Sequence, residues 1–150
     1  NMKIRILTGL LGFLAVTGAF AHSGASGIVL ERMEMMKDIS DQMKIIVTMV
    51  RGEEEYDAAK AEAAAQAIAA HAQELTEKFP EGSIGHPSEA LPAIWENWDD
   101  FVEQTEQLHA MAIALSDQAA SADGADSLRE EIAAVGQTCS SCHQYFRKAN

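Results

Sequence analysis

The chain holds 150 residues, 47% of them hydrophobic and 6% aromatic, with a net charge of −12 at pH 7. That length suits one domain, and the acidity argues against a nucleic-acid partner, because phosphate binding depends on Lys and Arg. Alanine is abundant, only three prolines occur, and no internal repeat or low-complexity linker divides the chain, which is the composition of a helical protein.

Lys3 and Arg5 precede an apolar stretch over residues 6–16, and Ala19-Phe20-Ala21 is an A-x-A cleavage site. This is the pattern of a secretory signal over residues 1–21, with a mature domain over residues 22–150. The apolar stretch falls short of the about 20 residues a membrane span needs, so no stable span is expected after cleavage. An uncleaved anchor is the alternative. Lys3 and Arg5 are two of the 11 cations, so their loss takes the net charge from −12 to −14. Most of the acids are expected on solvated helix faces, and a redox partner with a basic face is expected through electrostatic steering.

Four segments carry apolar seams in alternating steps of three and four. The first helix is expected over residues 28–50, with seam Arg32, Met36, Ile39, Met43, Ile46 and Val50, stopped by Arg51-Gly52. The second is expected over 57–79, with seam Ala61, Ala65, Ile68, Ala72, Leu75 and Phe79, stopped at Pro80. A proline-bearing loop follows to Pro92. The third is expected over 93–119, with seam Ile94, Trp98, Phe101, Thr105, Leu108, Ala112 and Leu115. A turn cluster at 121–124 leads to the fourth, over 126–148, capped by Asp126 or Ser127. Its seam is Leu128, Ile132, Val135, Cys139, Cys142 and Phe146. Four long helices with mostly short links make an all-α, antiparallel four-helix bundle. The alanine-rich seams supply little core volume, and a bound haem is expected to fill the space.

The only two cysteines stand in Cys139-Ser140-Ser141-Cys142-His143. C-x-x-C-H is the attachment motif of a c-type haem. Two thiols three positions apart each form a thioether to one vinyl group, and the next residue offers its imidazole to the iron. A thioredoxin-like pair needs a βαβ context, structural zinc needs four ligands, and a simple disulfide leaves the histidine unexplained. One covalent haem c is therefore the expected cofactor, with Cys139 and Cys142 as attachment points and His143 as iron ligand. His22, His71, His86 and His109 have no such context.

The motif lies on the last helix. Together with Arg32-x-x-x-Met36-Lys37, Ala93-Ile94-Trp95, Asp99-Asp100-Phe101 and Thr138-Cys139-x-x-Cys142-His143-x-Tyr145-x-Arg147, the chain resembles class II c-type cytochromes, the cytochrome c-prime family and its low-spin relatives. The resemblance covers the mature chain. It implies that Met36 is the second axial ligand, where high-spin members carry a non-coordinating apolar residue. It implies that Arg32 pairs with a haem propionate, to which a guanidinium is geometrically matched, and that Arg147 lies beside the proximal imidazole. The period also places Met36 on the seam. Packing is the other reading, since five of the seven methionines (Met33, Met35, Met36, Met43, Met49) crowd the first helix, and Met33 or Met35 could replace Met36. Trp95, Trp98, Phe101 and Tyr145 are expected to pack on the haem or in the core.

The expected function is one-electron transport in the periplasm with His143 and Met36 as axial ligands, without enzymatic activity. The alternative is a five-coordinate haem protein that binds nitric oxide or carbon monoxide. The resemblance leaves a monomer or a homodimer.

Overall fold

The computed structural model describes residues 25–149; the expected signal segment lies outside them. Among the described residues four long helices form, α1 (Gly27–Val50), α2 (Ala58–Glu74), α4 (Trp98–Ser121) and α5 (Arg129–Phe146), with a short α3 (Ala93–Glu96) before α4. Each long helix packs on the next in chain order and α5 returns to α1, which closes the bundle. No helix among the described residues is long and apolar enough to cross a membrane.

The ends obey local chemistry. Gly52 adopts φ +72° directly after α1, the left-handed position that glycine takes without strain. The Asp57 carboxylate caps α2 by accepting from the Lys60 amide at 3.0 Å. The second helix is tighter at its end than expected, since residues Leu75–Lys78 form a 3-10 turn that stops at Phe79, just ahead of Pro80.

Three expectations need correction. The third helix is broken: Asn97 (φ −130°, ψ 52°) separates α3 from α4. Neither Asp126 nor Ser127 caps the last helix; both lie in a 3-10 turn over Ala125–Leu128, and α5 starts at Arg129. The helix also ends at Phe146, because Arg147 turns extended and pairs with Ala90 of the loop.

The seams match the core closely. Ala61, Ala65, Ile68, Ala72, Leu75 and Phe79 are all buried, as are Phe101, Leu108, Ala112, Leu115, Leu128 and Val135. The alanines, however, do not border a cofactor space. They lie in the interface where α2 and α4 pack most extensively, and small side chains there let the two backbones approach. The low side-chain volume of α2 is thus explained by close helix packing.

Candidate functional site

A cavity of about 670 Å³ opens between α1, α4 and α5 and is roofed by the loop before α3. It falls in the size range of cofactor pockets, roughly 300–1,000 Å³. Arg32, Met36, Cys139, Cys142, His143 and Arg147, all six residues singled out from the sequence, line it. A second depression of about 700 Å³, at the opposite turns near Arg51 and Asp126, holds none of them.

On α1 the helical period does the placing. Arg32, Met36, Ile39 and Met43 follow one another along the face that lines the cavity. Met33 also reaches its wall, whereas Met35 is buried in the core. On α5, Cys139 and Cys142 stand three positions apart, both half-buried and facing the cavity. Burial pushes the Cys139 thiol up, and it drives Cys142 to about 11, with the neighbouring Cys139 adding to the rise. His143 stands at the exposed rim. Its pKa is lowered, first by burial of the ring and then by the Arg147 charge, with Glu89 opposing. A neutral imidazole is the form that binds a metal.

Arg147 is held by a residue the sequence did not single out. Its Nε donates to Glu89 Oε2 at 2.6 Å, and the loop strand fixes the geometry through Leu91 N–H to Phe146 O (3.0 Å) and Lys148 N–H to Glu89 O (2.8 Å). Arg32, 4% exposed, donates from Nη1 to Ser83 Oγ (3.0 Å) and from Nη2 to the Ser83 carbonyl (2.6 Å) and to Ser88 Oγ. Its guanidinium also covers the Phe79 ring, 4.9 Å from the centroid. Desolvation lowers its pKa from the ordinary arginine value. These partners lie more than 50 residues away in sequence, and no local pattern announces them.

The aromatic residues divide. Phe101 stacks edge-on with Phe79 (4.9 Å) and Phe146 (5.4 Å), and Trp98 lies tilted against it at 5.4 Å. The Trp95 indole N–H donates to Phe79 O at 3.0 Å. Tyr145 departs from expectation, being 60% exposed on the outer face of α5. His109 bonds Ala69 O through Nδ1 at 2.9 Å, and His71 meets Asp38 at 2.6 Å; neither lines the cavity.

The donor set fits a covalent haem. Two thiols, an imidazole and a thioether border one space, its walls include Ile39, Leu75, Ile94, Phe101 and Leu108, and a buried guanidinium without an anionic partner stands at its edge. Among the described residues no cluster of three or more His, Cys, Asp or Glu side chains is placed to hold a metal ion.

The family model for cytochrome c' matches residues 27–147. Cytochrome c-556 of Agrobacterium fabrum is 34% identical over 151 residues, covering 97% of both chains. Cytochrome c' of Rhodopseudomonas palustris is 33% identical over 147 residues, again covering 97% of both. A crystal structure of cytochrome c' from Rhodopseudomonas palustris superposes with a TM-score of 0.76 at 30% identity, covering 84% of this chain and 99% of that one.

Proposed function

The chain belongs to the cytochrome c' family and carries one covalent c-type haem, and on that premise we propose that it is a periplasmic one-electron carrier with His143 and Met36 as axial ligands. The haem supplies the ferric/ferrous couple. Cys139 and Cys142 would hold it through two thioethers, with the imidazole of His143 beside them to bind the iron. Arg147, oriented by Glu89, places positive charge near the imidazole and limits its protonation. Arg32, buried and without an anionic partner among the described residues, would pair with a carboxylate of the cofactor.

The observation that carries the reading is the position of Met36. It lines the same cavity as His143, from α1 where His143 is on α5, and stands one turn after Arg32. A thioether ligand raises the reduction potential, and filling both axial positions suits outer-sphere transfer rather than substrate chemistry. No enzymatic role is proposed. The signal-like segment and the C-x-x-C-H motif support export, and the net charge supports a basic redox partner.

A second reading, binding of nitric oxide or carbon monoxide to five-coordinate iron, draws on the apolar wall around Met36. Ile39 and Met43 flank it and would accept a neutral diatomic molecule. Absorption spectra of both oxidation states decide between the two. Sharp low-spin bands, converted to a high-spin spectrum by Met36→Leu, are expected. A high-spin spectrum of the unaltered protein, or low-spin bands that persist in Met36→Leu, rejects Met36 as ligand.

A further inference from the structure

We infer that Ser88 is a carboxylate-binding residue, its hydroxyl donating to the same acidic side chain of the cofactor that Arg32 faces. The inference rests on the covalent haem and is independent of Met36.

The argument is one of hydrogen-bond inventory. A serine hydroxyl has one hydrogen to donate and two lone pairs to accept with. Ser88 Oγ accepts from Arg32 Nη2 and from the Ala90 amide at 3.2 Å. Both lone pairs are taken, so the hydrogen must point elsewhere. Among the described residues no hydrogen bond receives it. Ser88 is 5% exposed and lines the cavity, so the cavity is where that hydrogen can find an acceptor. A buried donor without an acceptor costs about 1–3 kcal/mol.

Arg32 poses the same demand in a stronger form. It is buried, and its partners are two neutral hydroxyls and a carbonyl. Among the described residues no carboxylate forms an ion pair with it; the neighbouring Glu31 pairs with Lys78 instead. A buried charge needs a counter-charge. A group that is negative, accepts only, and can take two donors at once meets both demands, and a carboxylate is that group. Ser83 differs, because it supports the guanidinium but does not border the cavity. The loop before α3 therefore does more than roof the site: it delivers a donor, held in place by the Ala90 amide next to the Ala90–Arg147 bridge.

The test is resonance Raman spectroscopy of the holoprotein, read at the propionate bending mode, whose frequency rises with hydrogen bonding. Ser88→Ala should lower that frequency and Ser88→Thr should keep it. In an Arg32→Met background, Ser88→Ala should lower it further. An unmoved band in Ser88→Ala overturns the inference. So does an effect that vanishes in the Arg32→Met background, because Ser88 would then act only through Arg32. If Ser88→Ala yields no holoprotein, Ser88→Cys, a weaker donor, serves: a smaller fall supports the assignment and no shift overturns it. The spin state reads Met36 separately, and Ser88→Ala leaves it unchanged.

Discussion

Arg147 and Glu89, 58 residues apart, form a charge-assisted contact at the rim of the haem cavity, with Nε 2.6 Å and Nη2 2.5 Å from the same carboxylate oxygen. The antiparallel pairing of the loop with the tail after α5 brings them together. Both side chains are 40% or more exposed, so the pair adds little to stability. Its consequence is for the field at His143, which feels Arg147 and Glu89 with opposite sign. Glu89→Gln removes a negative charge and leaves Arg147 uncompensated. Positive charge favours ferrous iron, so the midpoint potential should rise by on the order of tens of millivolts at low salt. Potentiometric titration measures it, and a fall or no change would contradict this account.

Covalent attachment makes a chemical prediction. Acid–acetone extraction removes haem that is held only by ligation. The unaltered protein should keep its colour, and the Cys139→Ala, Cys142→Ala double variant should lose it. A single variant should keep haem through one thioether, and its pyridine haemochrome band should shift toward that of haem with one free vinyl group. Loss of all haem in the unaltered protein would refute the attachment.

Close packing of α2 on α4 predicts intolerance to size. Ala65 is fully buried, so Ala65→Leu inserts methylenes where the helices approach closely. Overpacking of this kind costs roughly 1–3 kcal/mol. Guanidinium denaturation of the holoprotein should show a lower midpoint with little change in the haem absorption spectrum, since Ala65 does not border the haem cavity. A stabilised variant would mean that α2 does leave space for added volume.

The Asp38–His71 contact between α1 and α2 predicts a pH dependence. The hydrogen bond from His71 is the main cause that holds the Asp38 carboxyl below its ordinary value, with burial opposing. A lowered carboxylate pKa stabilises the fold above the unfolded value, about 3.9, and that contribution is lost as pH falls through the folded value. Both side chains are partly exposed, so the effect is small. Thermal midpoints should separate the unaltered protein from His71→Ala at pH 5 and converge below about pH 4. A gap that persists undiminished at pH 3 would disprove the linkage.

Much of the molecule was legible in the sequence, for a reason that differs between elements. The seam of α2 was read in full, because burial on one face of a helix imposes a 3.6-residue period that any amphipathic segment displays. The haem motif was legible for a different reason, the covalent chemistry of C-x-x-C-H, while the shared cavity-facing side of Arg32 and Met36 followed from their four-residue spacing on one helix. Where the reading failed, the missing information was spatial. The alanines of α2 carry an ambiguous signal, because alanine is equally at home beside a cavity and in a tight helix contact, and only the position of α4 chooses between them. An aromatic side chain is expected on the haem or in the core, but Tyr145, one position before the buried Phe146, falls on the exposed face of α5.

Chain-local periodicity and covalent chemistry set the long helices, their inward faces, the thiol–imidazole constellation and the placing of Arg32 and Met36 on one face of α1. Tertiary structure alone decided that Glu89 orients Arg147 and that Ser88 meets Arg32. Those partners sit in a loop with no repeat, and its path depends on which helix ends it happens to bridge.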